Sequence, residues 1–203
     1  MKKLFLLIVL LAGFTALHSQ ESSRKGFHLG AHFTPGYGTI LTEAYDYLSY
    51  DFGMTAGIDV NYYFTDLLGI HTGVTFLNQP WKYEYVNTRG DGKDVSATLN
   101  AIGIPARFLL TTGHSTVGFY LEAGIAVYFP ISYTSDLDLE LLETSTAMFS
   151  TELVVGININ VSEAVNLNVG AFSNTTFPVF SNIDYSYGLL NGIKLGFMYK
   201  LGN

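Results

Sequence analysis

Apolar and polar side chains alternate one for one along several stretches of this chain, and no other feature constrains its fold as much. One apolar set consists of Ile193, Leu195, Phe197, Tyr199 and Leu201. Two others are Leu153, Val155, Ile157, Ile159 and Val161, and Met54, Ala56, Ile58, Val60 and Tyr62. Because successive side chains of a β-strand point to opposite faces, each stretch predicts a strand with one apolar and one polar face.

Eight such segments can be identified along the chain. They lie roughly at 26–35, 50–63, 69–86, 96–110, 116–134, 148–161, 164–175 and 186–201. The predicted connections alternate between short ones, at 65–68, 112–115 and 162–163, and long ones, at 36–49, 87–95, 135–147 and 176–185. This alternation is typical of an outer-membrane barrel, which has tight periplasmic turns and longer external loops. An even number of strands also returns both termini to the periplasmic side.

The hydrophobicity of the chain agrees with a membrane location. Only 13% of the residues are charged, and the mean hydropathy is +0.27. Beyond the N-terminus no stretch approaches the ~20 continuous apolar residues that a transmembrane helix needs. Strands in hydrocarbon must close on themselves to pair every backbone group. The sequence therefore predicts an all-β fold: an eight-stranded antiparallel up-and-down transmembrane β-barrel, with apolar faces toward lipid and polar faces toward the lumen.

Aromatic residues are concentrated near the predicted strand ends. Tyr62, Phe27 and Tyr199 belong to the periplasmic end, and Phe129, Tyr133 and Phe177 belong to the external end. Aromatic girdles occupy both membrane interfaces of such barrels, so we expect these six rings to face outward there.

The N-terminus has the pattern of an export signal. Lys2 and Lys3 precede the apolar run 4–12, which is followed by small and polar residues up to Ser19. This predicts a cleaved signal peptide at 1–19 and an outer-membrane barrel domain at 20–203. The exported chain would carry eight basic and 17 acidic residues. We expect no nucleic-acid partner, because phosphate binding needs clustered Lys and Arg.

Six charged residues fall on the predicted lumen face. They are Asp59, Arg107, Glu122, Glu152, Lys194 and Lys200, three acids and three bases. Buried charges are costly unless they are paired, so we expect structural ion pairs. Arg107 and Glu122 flank the turn at 111–115 and should pair across it. An eight-stranded barrel is just wide enough for side chains to fill, which argues against a general diffusion pore.

The sequence predicts no catalytic, cofactor or metal site. His28 and His32 would share one face of a strand but lie ~13 Å apart, too far for one ion. His71 is predicted inward as polar lining, and His114 lies in a turn. Cysteine is absent, as are the G-x-S-x-G and H-E-x-x-H motifs.

Two stretches resemble known outer-membrane proteins. In the last strand, Lys194, Gly196, Phe197 and Tyr199 resemble the C-terminal signal that outer-membrane barrels present to the barrel-assembly machinery, although the chain continues to Asn203. The segment 99–108, with its Ile-Gly-Ile-Pro core, is similar to the fourth strand of the PorT-type outer membrane β-barrel family. The resemblance implies a small outer-membrane barrel, and some members are associated with secretion and gliding machinery. Because Pro105 cannot donate to a ladder, we expect a local bulge there.

The predicted external loops are the places where function could reside. Residues 36–50 contain Tyr37, Tyr45, Tyr47 and Tyr50, and residues 135–147 mix acids with leucines. We interpret the chain as a non-enzymatic scaffold or binding module, in contact with outer-membrane lipid and with an envelope protein or glycan through these loops. Three alternatives stay open: a component of an envelope secretion machine, a barrel enzyme acting on lipid or peptide, and a soluble lipocalin-like carrier.

Overall fold

The fold is built from eight long strands. The computed structural model describes residues 24–42, 48–86, 92–112, 116–136, 145–179, 181 and 186–201. The strands are β1 (Gly26–Thr42), β2 (Leu48–Tyr63), β3 (Leu68–Val86), β4 (Gly92–Thr111), β5 (Val117–Ser135), β6 (Met148–Asn160), β7 (Val165–Phe177) and β8 (Ser186–Leu201). Within these ranges there is no helix of the length and apolarity that would span a bilayer.

The eight strands form one closed antiparallel barrel in sequence order. Each strand pairs with its neighbours along the chain, and β8 pairs back with β1. If the pairing is followed around the barrel from His28, it returns to β1 at Gly38, an offset of ten residues. Such a stagger requires strongly tilted strands. The predicted fold class is therefore confirmed.

The two ends of the barrel differ in their connections. We call the end that contains Gly26, Leu201 and the connections 64–67, 112–116 and 161–164 the turn end, and the opposite end the loop end. The predicted loop 36–49 was too long: β1 continues to Thr42, so only 43–47 connect it to β2. Likewise only 87–91 connect β3 to β4. The length difference between the two sets of connections persists only at 136–147 and 178–185.

The apolar faces point outward, as the alternation predicted. Ile157, Ile193 and Leu195 are 38%, 57% and 45% exposed, whereas Asp59 and Glu122 are each 1% exposed. A lipocalin-like carrier would require the reverse arrangement, with apolar residues around an internal cavity. The alternative of a soluble carrier is therefore wrong.

Aromatic side chains ring both ends of the outward face, with one exception. Phe27 and Tyr62 lie in contact at the turn end, with ring centroids 4.7 Å apart. Phe129 and Phe177 face outward near the loop end. Tyr133 was placed wrongly, because it faces the lumen and stacks on Trp81 at 5.7 Å. The cause is a bulge in β5: Asn100 pairs with Ser132 and Ala101 with Pro130, so one extra residue reverses the facing of the side chains beyond it.

Prolines explain the irregularities of the sheet. The two register shifts, between β2 and β3 and between β4 and β5, lie beside Pro80 and Pro130. At Pro35 the pairing with β8 is interrupted, and at Pro105 the pairing with β3 is interrupted, but the register on either side is unchanged. The bulge expected at Pro105 is therefore absent, because a short gap in the ladder opposite Gly73 accommodates the missing N–H.

The lumen has two zones rather than one polar lining. Toward the loop end, many of the inward side chains are apolar and form a hydrophobic core, with the buried polar residues Gln79, Thr176 and Ser186 among them. This core includes Ile40, Leu77, Trp81, Val95, Leu99, Tyr128, Met148, Val179 and Leu190, all at most 1% exposed. The expectation of a polar lumen therefore holds for the middle of the barrel and its turn end, where the charged side chains lie, and only in part for the loop end.

Candidate functional site: the buried ion network of the lumen

Four charged side chains meet in the middle of the lumen. Arg107 Nη1 lies 2.8 Å from Glu122 Oε2, and Arg107 Nε lies 2.6 Å from Glu152 Oε2. From β8, Lys194 Nζ donates to both Glu122 oxygens, at 2.9 and 2.8 Å. All four side chains are at most 2% exposed. Two cations and two carboxylates thus form a neutral cluster, which limits the cost of burying the charges.

Neutral polar groups complete the bonding of Glu152. The hydroxyl of Tyr128 donates to Glu152 Oε1 at 2.7 Å, and Asn174 Nδ2 donates to the same oxygen at 3.0 Å. Asn174 also donates to Ser150 Oγ at 2.7 Å. Tyr128 reaches this position because its ring packs over Gly103, directly opposite on β4, where a Cβ atom would overlap the ring. The glycine therefore helps to fix the rotamer of a network residue.

A second buried group contains a carboxylate and two histidines. Asp59 Oδ1 lies 2.7 Å from His32 Nδ1 and 3.5 Å from His71 Nε2. All three side chains are at most 2% exposed. His28 lies nearer the turn end and meets the ring of Tyr63 edge-on at 5.0 Å. His114 lies outside the described residues.

Arg24 lies across the turn end of the lumen, just before β1. Its backbone N–H donates to Asp66 Oδ1 at 2.9 Å, and its Nη2 donates to Asn160 Oδ1 at 3.1 Å. Burial lowers the pKa of the guanidinium, while Tyr63 and Asp66 act to raise it. Lys200 lies on the inward side of β8 at the same end and is half-buried. Arg24 and Lys200 thus bring positive charge to the turn end, outside the central network.

The network has the chemistry of a structural element. Its carboxylates already accept bonds from cations and from Tyr128 and Asn174, and the apolar core lies between them and the loop end. Among the described residues no group of three or more His, Cys, Asp or Glu has the geometry of a metal site. His32 and Asp59 are within hydrogen-bonding distance, as a barrel enzyme would require, but both side chains are only 2% exposed.

Sequence reasoning selected the charged members but missed their neutral partners. Asn174 lies directly opposite Glu152 in the register of β6 and β7, so a correct strand register would have identified it. Glu122 and Arg107 are diagonal rather than opposite, because Glu122 pairs with Leu109 and Arg107 with Gly124. The contact of Lys194 with Glu122 crosses the lumen, and no local signal indicates it.

Comparison with known proteins agrees with this fold. The family model for the outer membrane protein beta-barrel domain matches residues 6–200. The chain belongs to this family. Among solved structures, Neisserial surface protein A (NspA) matches with a TM-score of 0.54 and 17% identity, over 87% of this chain and 98% of that one. OprG of Pseudomonas aeruginosa matches with a TM-score of 0.52 and 11% identity, over 88% and 97%. No curated protein matches the chain.

Membership of the family places the chain in the bacterial outer membrane, with its outward apolar face against lipid. At identities of 17% and 11%, the two solved structures are similar in fold alone. The match supports the broad resemblance to small outer-membrane barrels, while the PorT-type subdivision stays a prediction.

Replacing Tyr128 with phenylalanine tests the neutral part of the network. The change removes the hydroxyl that donates to Glu152 and leaves the ring over Gly103. We expect the free energy of unfolding to fall by about 1.5 kcal/mol, the usual cost of losing a bond to a buried charged group. The matched control is Tyr120→Phe, since the Tyr120 hydroxyl is buried without a hydrogen-bond partner among the described residues. Equal losses for the two variants in urea titrations would contradict this assignment.

Proposed function

We propose that this protein is a non-enzymatic scaffold or binding module of the outer membrane, which holds its external connections at the cell surface. The observation that carries the proposal is the filled lumen. The ion network occupies its middle, and the apolar core occupies its loop end. We therefore assign the six lumen charges Asp59, Arg107, Glu122, Glu152, Lys194 and Lys200 a structural role, and no catalytic one.

A filled lumen predicts that the barrel does not conduct ions. Trp81, Leu77 and Leu99 are packed within the lumen at 0–1% exposure, and ions would have to displace them. We expect the folded protein, reconstituted in a planar bilayer, to give no stable conductance steps, whereas a general porin in the same bilayer gives them. Regular steps from preparations that are fully folded by gel mobility would overturn the proposal.

Partner binding would take place at the loop end. Three large aromatic side chains are highly exposed there: Tyr37 at 62%, Tyr50 at 58% and Phe52 at 55%. Tyr37 and Phe52 meet edge-on with centroids 6.3 Å apart. Tyrosine is frequent at recognition surfaces, so this edge supports contact with an envelope protein or glycan. Tyr45 and Tyr47 lie outside the described residues.

Affinity capture from envelope fractions tests partner binding. The wild-type chain is compared with a variant in which 43–47 are replaced by glycine and serine in equal number, and with a matched variant changed at 64–67, at the turn end. We expect a partner that the first variant loses and the second keeps. Capture that is the same for all three chains would count against the loops. A partner drawn from a secretion apparatus would favour the role that the PorT-type resemblance implies.

Export and assembly complete the proposal. We propose that residues 1–19 are removed as a signal peptide, and that Lys194, Gly196, Phe197 and Tyr199 are read by the barrel-assembly machinery. Phe197 and Tyr199 face outward at 46% and 48% exposure, whereas Lys194 and Gly196 face the lumen. A machine that recognises β8 along one face would thus contact the two aromatic rings first.

A further inference from the structure

The outward face of β6, β7 and β8 carries polar side chains at a depth where the rest of the barrel is almost entirely apolar. The four residues are Thr151, Ser173, Thr175 and Asn191, which we call the polar patch. Thr151 and Asn191 are exposed, and Ser173 and Thr175 are half-exposed. None of the four side chains has a hydrogen-bond partner among the described residues.

The four residues are contiguous. Thr151 lies directly opposite Thr175 in the register of β6 and β7, and Ser173 lies directly opposite Asn191 in that of β7 and β8. Ser173 and Thr175 are successive outward residues of β7, ~7 Å apart. The patch is therefore one surface across three strands, not four isolated substitutions.

The patch lies within the apolar band. On its loop-end side it is followed by the outward aromatic residues Phe149, Phe177 and Tyr187, which are 52%, 38% and 39% exposed. On its turn-end side it is followed by Leu153 and Ile193, at 46% and 57%. Because aromatic rings mark the membrane interface, the polar atoms lie on the hydrocarbon side of the outer girdle.

The opposite face of the barrel has no such cluster among the described residues. On β3, β4 and β5 the outward polar residues Asn78, Asn100 and Ser132 lie beyond the last large apolar residues. These three also bond to one another, at 2.7 and 3.0 Å. Deeper on that face the structure describes a single exposed threonine, Thr72, with Val74 at 54% and Ile70 at 46% beside it.

Acyl chains cannot satisfy an amide or a hydroxyl, so polar atoms at this depth are costly unless another molecule bonds to them. The amide of Asn191 has two N–H donors and an acceptor oxygen, and each of the three hydroxyls has one O–H donor and an acceptor oxygen. Two identical patches related by a two-fold axis can therefore satisfy each other, as in an isologous dimer. The small side chains of Ala171, Ser173 and Thr175 on the central strand also allow close approach of a second backbone.

We propose that the polar patch is the interface of a homodimer in the membrane, where a second copy of this chain covers Asn191 and the three hydroxyls. The aromatic residues Phe149, Phe177 and Tyr187 then form the apolar rim of the interface on its loop-end side. This proposal is independent of the scaffold function, since it concerns the lipid-facing wall and not the loops.

Cysteine cross-linking in vesicles tests the proposal, because the native chain contains no cysteine. Ser173→Cys places a thiol at the centre of the patch. Thr72→Cys is the matched control, since it places a thiol on another outward face of the same barrel. After mild oxidation we expect a disulfide-linked dimer from the first variant and monomer from the second. Equal cross-linking of the two, or monomer from both, would overturn the proposal.

A second measurement needs no cysteine. The dimer of the wild-type chain is followed by energy transfer between labelled copies in vesicles, and Asn191→Leu removes the amide. We expect the dissociation constant to rise about tenfold, because the leucine variant loses the hydrogen bonds of the amide across the interface. An unchanged constant would overturn the proposal. So would native mass spectrometry that finds single chains with bound lipid, or envelope cross-links from Ser173→Cys to a different protein.

Discussion

Replacing Glu122 with glutamine is expected to lower the free energy of unfolding by about 3–5 kcal/mol, the usual cost of breaking a buried ion pair on one side. Glu122 accepts hydrogen bonds from Arg107 and Lys194. Arg107 keeps its bond to Glu152 in the variant, but Lys194 loses the carboxylate that faces it. The four-residue network then carries one uncompensated positive charge in the lumen.

The single tryptophan of the chain reports this unfolding. Trp81 is 1% exposed and stacks on Tyr133, so its fluorescence changes when the barrel opens in urea. The matched control is Asp51→Asn, which breaks the surface pair between Asp51 Oδ2 and Lys82 Nζ at 3.2 Å. Because those side chains are 35% and 46% exposed, we expect a change of only about 0–1 kcal/mol.

The double variant Glu122→Gln with Lys194→Met distinguishes charge imbalance from a general packing defect. It removes one charge of each sign, so the network is neutral again. We expect it to be more stable than Glu122→Gln alone, by an amount that a double-mutant cycle measures. A double variant less stable than the single one would contradict this account. So would a Glu122→Gln protein as stable as the wild type.

The strand pattern was readable from the sequence because one face of each strand lies against lipid. The strand predicted at 50–63 is observed at Leu48–Tyr63, and the strand predicted at 148–161 is observed at Met148–Asn160. The first strand was predicted seven residues too short, because Pro35, Gly36 and Gly38 have the composition of a turn. In the barrel Gly36 and Gly38 pair with both β2 and β8, and Pro35 pairs with β2. Pairing with distant strands thus overrides a local turn signal.

The inward face was harder to predict. Lys194 and Glu122 are 72 residues apart and meet across the lumen, so their contact depends on the stagger at which the barrel closes. The same limit applies to Tyr133, whose facing depends on a bulge beside Pro130 that alternation cannot locate. Of the four prolines within strands, two lie beside bulges and two beside simple gaps. The sequence predicted a bulge at Pro105, whereas the ladder has only a gap there.

The second large effect is expected on the outward face, where lysine replacements along β6 should report membrane depth. Outward residues of this strand include Leu153 near its middle and Ile157 nearer the turn end, at 46% and 38% exposure. Val161 lies just beyond the strand, in the turn itself, at 59%. We expect Leu153→Lys to lower the free energy of unfolding by about 2–4 kcal/mol, Ile157→Lys by less, and Val161→Lys by about 0–1 kcal/mol.

This gradient arises from the surroundings of the side chain and not from the loss of packing. All three side chains are exposed, and Val161 is the most exposed of them. If each lysine only lost contacts within the protein, the three losses in the free energy of unfolding would therefore be small and similar. In a bilayer the ammonium group at Leu153 must enter hydrocarbon, whereas the group at Val161 reaches water beyond the aromatic girdle. Urea titrations in vesicles and in detergent, followed by Trp81 fluorescence, separate the two explanations. A flat profile along β6 in vesicles would mean that the apolar face of this strand does not contact hydrocarbon, and it would overturn the lipid-facing assignment from which the depth of the polar patch is derived.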